Sequence, residues 1–120
     1  MKQRPRPVSK KLELSTYAHD KTVAFMARGG DDAQEVRVPL PIMYRFYHLG
    51  RAYDLSRITG LHPAGSVVVD YVNSQTLGLE LGLLASFVDD PVLHHYVDQL
   101  EQLVTYVRAD TKRSIVVQGT

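Results

Sequence analysis

A chain of 120 residues has the length of one ordinary domain, and its 44% of hydrophobic and 22% of charged residues exclude a disordered or fibrous protein. The absence of cysteine excludes disulfides, thiolate nucleophiles and cysteine-based zinc sites, and is typical of the cytoplasm. The start of the chain is polar and proline-rich, and the longest apolar run, at residues 77–88, is too short to cross a bilayer. We therefore expect one cytoplasmic domain with neither an export signal nor a membrane span.

The formal net charge of +1 conceals an uneven distribution of charge along the chain. Residues 1–11 hold five of the fourteen basic residues and no acidic residue, so residues 12–120 carry a net charge of −4. The five basic residues are Lys2, Arg4, Arg6, Lys10 and Lys11. Because prolines 5 and 7 disfavour a helix, the sequence predicts a basic flexible arm at 1–11 and a single domain at 12–120. The arm suits a phosphate backbone, whereas the acidic body suits a basic protein surface.

The first predicted elements alternate apolar and polar residues with the period of a β-strand. Leu12 and Leu14 begin this pattern, and the strand-forming residues 22–27 follow a polar turn. Beyond a turn at residues 29–32, residues 36–40 alternate again. The amino-terminal third is therefore predicted to form an antiparallel meander.

Helical periodicity then predicts three helices, at residues 41–58, 74–88 and 90–109. Ser74 is the expected N-cap of the second helix, whose leucines surround almost its whole circumference. Such a helix should be buried on most sides. Asp90 and Pro91 are typical of the N-cap and the first position of the third helix, which carries a regular apolar stripe.

Two more strands complete the predicted fold. Three consecutive valines within residues 66–72 predict a buried central strand, and the apolar residues within 114–118 predict a last strand. The expected class is therefore α+β, a single domain with amino-terminal antiparallel strands and three helices packed on a small mixed sheet.

The five histidines are the first candidates for metal or acid–base chemistry. His94 and His95 are adjacent, so they diverge by about 100° on a helix and share no chelating face. Each has a helical spacing from Asp98 that would permit two ligands, but the remaining ligands are not identifiable. We therefore expect a solvated helix face there, and neither a metal nor a cofactor.

Glu80 lies in an otherwise apolar helix, where an unpaired buried carboxylate would be costly. The expected arrangement is a salt bridge to an arginine such as Arg45 or Arg57. The alternative is a general acid or base, acting with a histidine in an open pocket. Gly78 and Gly82 lie one turn apart beside Glu80 and predict a close contact with another element. No motif places a nucleophile or a phosphate-binding loop, so no catalytic residue is assigned.

A contact surface is predicted on the first helix. Tyr44, His48 and Arg51 project from one side of it, with Arg45 and Tyr47 near its edges. Surfaces rich in tyrosine and arginine are typical of hot spots in protein interfaces and also of platforms on which RNA bases stack. The alternative is that the tyrosines cover the edge of the core and the arginines hold acidic residues of neighbouring elements.

The carboxy-terminal half reads V-V-D-Y-V-N-S-Q-T-L-G-L-E-L-G-L-L, then D-D-P-V-L-H-H-Y-V-D-Q-L-E-Q-L and finally S-I-V-V-Q-G. Over residues 69–118 this text resembles small bacterial toxin-immunity proteins. The resemblance implies a strand, two packed helices and a final strand. It also implies a protein that binds and blocks one cognate toxin, often a nuclease, without an activity of its own. The basic arm at 1–11 departs from many acidic immunity proteins.

The leading hypothesis is therefore a non-catalytic, immunity-like antagonist that binds a partner protein such as a toxin. The alternative is a small nucleic-acid-binding accessory protein that uses the basic arm together with Arg45 and Arg51. A homodimer through an exposed strand edge or the tyrosine surface is also compatible with the sequence.

Overall fold

Four strands and four helices make up the computed structural model, which describes residues 13–30, 32, 34–61 and 65–119. The strands are β1 (Thr22–Arg28), β2 (Glu35–Pro39), β3 (Ser66–Val69) and β4 (Ser114–Gln118). The helices are α1 (Leu40–Ala52), α2 (Ser56–Thr59), α3 (Tyr71–Phe87) and α4 (Pro91–Arg108). The predicted α+β class is confirmed. The predicted arm at residues 1–11 lies outside the described residues.

The strands form one sheet in the order β2-β1-β4-β3. Every pairing is antiparallel, where the sequence suggests a mixed sheet. The reason lies in the connection between β3 and β4, because two helices in succession return the chain to the sheet in the reversed direction. Of the predicted meander, the antiparallel pair of β1 with β2 is present, and so is the predicted last strand.

The third strand lies at the edge of the sheet rather than at its centre. Val67 and Val68 are 38% and 63% exposed, and Val69 is the buried valine of this strand. An apolar run predicts a strand, but it does not show whether that strand pairs with one neighbouring strand or with two. The strand also ends earlier than predicted. Asp70 caps α3 by accepting a hydrogen bond of 2.8 Å from the amide of Asn73, so Ser74, the predicted cap, lies inside the helix.

The segment before β1 is a short 3-10 helix, Leu14–Tyr17, and not the predicted strand. Its amides are satisfied locally, since Thr16 donates to the carbonyl of Glu13 and Asp20 donates to that of Tyr17. Tyr17 is buried in the core whereas Leu14 is exposed. The segment is therefore held to the core by one buried tyrosine, and not by the alternating leucines that the strand prediction used.

The core lies between the helices and one face of the sheet. Val23 and Phe25 of β1 and Ile115 and Val117 of β4 point into it and are almost completely buried. The apolar stripe of α4 covers them, and its predicted members are all buried. They are Leu93, Val97, Leu100, Val104 and Val107.

The first helix ends at Ala52, six residues before the predicted end. Asp54 adopts a left-handed backbone conformation with φ of 58°, and the amide of Leu55 donates 2.7 Å to the carbonyl of Gly50. The chain then turns into α2, which packs its Ile58 against α1. A Cβ added at Gly50 would lie 2.8 Å from Cγ2 of Ile58, so the close approach of α1 and α2 requires glycine.

We therefore expect Gly50→Ala to lower the free energy of unfolding by about 1–3 kcal/mol, because the added methyl group overpacks a buried contact. Gly82→Ala is the matched control, since its added Cβ would make an ordinary contact at 3.5 Å with Oε1 of Glu101. That change should raise stability by up to about 1 kcal/mol through helix propensity. Urea unfolding at one protein concentration measures both, and a stabilised Gly50→Ala would contradict the packing argument.

Candidate protein interface

Aromatic and cationic side chains form one exposed cluster on α1. The helix buries Ile42, Met43, Phe46 and Gly50, which leaves the opposite face to solvent. On that face the rings of Tyr44 and His48 stack with centroids 6.3 Å apart and an angle of 24° between their planes.

The cluster continues along the helix. The ring of Tyr47 meets that of His48 edge-on at 5.6 Å, and the guanidinium of Arg51 lies 5.9 Å from the ring centroid of Tyr47. Such stacked rings are partly preorganised, so a partner would immobilise few rotamers on binding. We call Tyr44, Tyr47, His48 and Arg51 the α1 cluster.

A shallow groove of about 450 Å³ opens beside the amino-terminal end of the α1 cluster. It is lined by Tyr44, by the apolar residues Leu40 and Pro41, and by Asp20 and Lys21. The α1 cluster therefore offers an apolar depression at one end and a guanidinium at the other.

Arg45 makes none of the ring contacts of the α1 cluster, although the sequence groups it with Tyr44, His48 and Arg51. Its guanidinium forms an ion pair with the carboxylate of Asp90, whose side chain is only 2% exposed. The other oxygen of Asp90 accepts hydrogen bonds of 3.0 and 3.1 Å from the amides of Val92 and Leu93. Asp90 is thus the N-cap of α4, as predicted, and Arg45 connects α1 to it. Arg45 therefore matches the alternative given for this helix, in which an arginine holds an acidic residue of a neighbouring element.

Glu80 is buried as expected, but it binds backbone amides where a salt bridge was predicted. Its Oε1 accepts 2.9 Å from the amide of Arg57 and 3.1 Å from that of Ile58, and its Oε2 accepts 3.1 Å from Arg57. Arg57 therefore contributes its main chain, and Arg45 pairs with Asp90. A carboxylate placed at a helix amino terminus satisfies unpaired amides and suits the helix dipole. Glu80 of α3 acts as the cap of α2.

The adjacent histidines have separate structural contacts. Nε2 of His94 lies 2.9 Å from the carbonyl oxygen of Ala85 and 2.6 Å from that of Val88, so it donates to the carboxyl-terminal end of α3. His95 contacts the amide of Gln99 at 3.0 Å. Beside it, burial raises the pKa of the Tyr96 hydroxyl above its ordinary value of 10.0. Within the described part of the chain, no group of three or more histidine or acidic side chains is placed to hold a metal ion.

The sequence does not predict one exposed surface of the molecule, which lies on α3. The predicted burial of α3 on most sides is wrong, because Val72, Leu79, Leu83 and Phe87 are 68%, 73%, 48% and 49% exposed. Leu77, Leu81 and Leu84 take the buried side. The ring of Phe87 packs on that of Tyr53 with centroids 4.7 Å apart. The spacing that marks this face was present in the sequence, but equally apolar residues on the other side masked it.

Comparison of the chain with protein-family models, curated proteins and solved structures gave no significant match. In the described part of the chain, each helix is too short or too polar to cross a membrane.

Proposed function

We propose that this protein is a non-catalytic protein-binding module, an immunity-like antagonist that engages a cognate partner through the α1 cluster. One observation carries the proposal, namely that Tyr44, His48 and Arg51 lie exposed on the side of α1 opposite its buried face. The rings of Tyr44 and His48 stack there, and Tyr47 contacts both His48 and Arg51. Tyrosine and arginine are the residue types that most often dominate binding energy at protein interfaces.

The geometry of the α1 cluster indicates what the partner presents. Tyr44 and Arg51 are seven residues apart, which is about 10 Å along a helix. The groove beside Tyr44 accepts an apolar side chain, and the guanidinium of Arg51 pairs with a carboxylate. The partner segment therefore carries an apolar and an acidic side chain separated by about 10 Å.

The roles of the buried acids support a binding function over a catalytic one. Glu80 accepts hydrogen bonds from the amino terminus of α2, and Asp90 does so at α4 while also pairing with Arg45. Both carboxylates thus have structural partners that account for their burial.

The alternative is a nucleic-acid-binding accessory protein that uses the basic arm with Arg45 and Arg51. The ion pair of Arg45 with Asp90 takes one of these two arginines away from a phosphate backbone. This contact favours the protein-binding proposal, and the salt dependence of binding separates the two, because phosphate contacts weaken steeply as salt rises.

The test begins with capture of partners by the full-length tagged chain from its native cell, with and without nuclease and at two salt concentrations. We expect one stoichiometric protein that survives nuclease. Tyr44→Ala and Arg51→Ala should each weaken binding of that purified protein by about tenfold or more, since hot-spot side chains contribute 1–2 kcal/mol or more. Isothermal titration calorimetry measures the change.

Arg28→Ala is the matched control, because it removes an exposed arginine from β1 and should leave the affinity unchanged. The antagonist role is tested by expressing the captured partner alone and together with this chain, which should relieve the partner's toxicity or inhibit its activity. Equal effects of Arg51→Ala and Arg28→Ala would reject the α1 cluster as the site. Recovery of nucleic acid alone, lost at high salt, would reject the protein-binding function.

A further inference from the structure

The outward face of α3 is mainly apolar. Val72, Leu79, Leu83 and Phe87 are exposed on it, at the spacing that places residues on one side of a helix. Thr76 falls between the first two of these on the same side. We call these five residues the α3 stripe. Contiguous apolar surface of this kind is typical of an interface.

The α3 stripe carries no charge of its own. Glu80, which is buried against α2, is the charged residue of this helix. Because this face has no charge, two copies that meet through it place no like charges opposite each other within the stripe.

Two charges of α4 flank the stripe on one side. A Cβ added at Gly78 would lie 3.0 Å from Cγ1 of Val104. Gly78 of α3 and Val104 of α4 are therefore opposite each other where the two helices pack. Glu101 lies beside Gly82, towards the carboxyl end of α3, since its Oε1 is 3.5 Å from the added Cβ there.

Arg108 lies towards the other end of α3. With Gln75 and Leu79 it lines a groove of about 300 Å³ between α3 and α4, and Glu101 lines the same groove. No ion pair joins Glu101 or Arg108 to another of the described residues. An unpaired negative charge and an unpaired positive charge therefore stand about two turns apart along the same edge of the stripe.

We propose that the α3 stripe binds a second copy of this chain, with the two α3 helices antiparallel about a two-fold axis near Leu79. In this arrangement Val72 of one copy faces Phe87 of the other, and Thr76 faces Leu83. The axis lies in the plane of the interface and perpendicular to α3, so both α4 helices remain on the same side. Glu101 of each copy then meets Arg108 of the other.

The self-complementary charge pattern is what selects a second copy as the occupant. A two-fold axis uses the same surface twice, so a face with a negative charge at one end and a positive charge at the other matches itself when inverted. A seventeen-residue helix is about 25 Å long, so the contact is smaller than the roughly 800 Å² per partner of a standard interface. The dimer is therefore a reversible one. This inference concerns a different helix from the α1 cluster and does not depend on the proposed function.

Sedimentation equilibrium of the full-length chain over a wide concentration range tests the dimer. We expect a monomer–dimer equilibrium in the wild type and a rise of about a hundredfold in the dissociation constant for Leu79→Asp, which buries an unpaired carboxylate at the axis. Leu14→Asp is the matched control, because it changes an exposed leucine outside the stripe and should leave the equilibrium unchanged. Far-UV circular dichroism establishes that each variant is folded.

Charge reversal tests the antiparallel register. Glu101→Arg and Arg108→Glu should each weaken the dimer several-fold, because each places like charges opposite each other twice. The double variant should recover the wild-type dissociation constant. A wild type that stays monomeric up to millimolar concentration, or a Leu79→Asp variant that dimerises like the wild type, would overturn the proposal. A double variant weaker than both single variants would overturn the two-fold arrangement.

Discussion

Asp90→Ala is expected to lower the free energy of unfolding by about 3–4 kcal/mol. The substitution removes the N-cap of α4, so the amides of Val92 and Leu93 lose their acceptor. It also leaves Arg45 without its counter-charge in a half-buried position, where the side chain is 32% exposed. Urea unfolding followed by far-UV circular dichroism should show a lower midpoint with an unchanged slope.

Asp89→Ala is the matched control for this prediction, because it removes an exposed acid one residue earlier in the chain. Its effect should stay within about 0.5 kcal/mol. Arg45→Met completes a double-mutant cycle, and the double variant should lose less stability than the sum of the single variants, since the second change removes the unpaired charge. Equal losses from Asp89→Ala and Asp90→Ala, or strict additivity in the cycle, would contradict the ion pair as a source of stability.

The elements that the sequence predicted well are those with strong local signals. Asp90 and Pro91 mark the start of α4, and the stripe from Leu93 to Val107 gives its buried face without reference to any other element. The strand at 114–118 follows from its valines and isoleucine. In each case the deciding interactions lie within a few residues of one another.

The elements that the sequence predicts incorrectly are determined by contacts between residues that are far apart in the chain. The helix predicted at 41–58 is interrupted after Ala52, and the helix that follows, α2, is capped by Glu80 of α3. The edge position of β3 requires knowledge of which strand pairs beside β4. Helical spacing groups Arg45 with the predicted binding residues. Its partner, Asp90, lies forty-five positions away in the chain, so the spacing gives no sign of their ion pair. Periodicity within one segment contains none of this information.

The exposed side of α3 shows the same limit in another form. A helix that is apolar all round is expected to be buried all round, and the fold of one chain covers only its inner side. Leu79 and Leu83 are therefore exposed although their helix is apolar on every side. The dimer proposed above would bury both.

Glu80→Ala is expected to lower the free energy of unfolding by about 2–3 kcal/mol, through the loss of acceptors for buried amides. The helix α2 is only four residues long, and its own N-cap residue, Leu55, has a side chain that offers no acceptor. The carboxylate from α3 therefore holds the first turn of α2 in place. Beyond the change in unfolding midpoint, the amides of Arg57 and Ile58 should exchange with solvent faster, which NMR hydrogen exchange measures residue by residue.

Glu80→Gln separates the two contributions of this side chain. The amide oxygen of glutamine still accepts one or two of the three hydrogen bonds, whereas the charge that complements the helix terminus is gone. We expect an intermediate loss of about 1 kcal/mol, with the amides of Arg57 and Ile58 still partly protected. A Glu80→Ala variant with wild-type stability and unchanged exchange at these amides would show that the carboxylate does not cap α2. Its burial in an apolar helix would then call for a different role, such as the acid–base function that its hydrogen bonds now argue against.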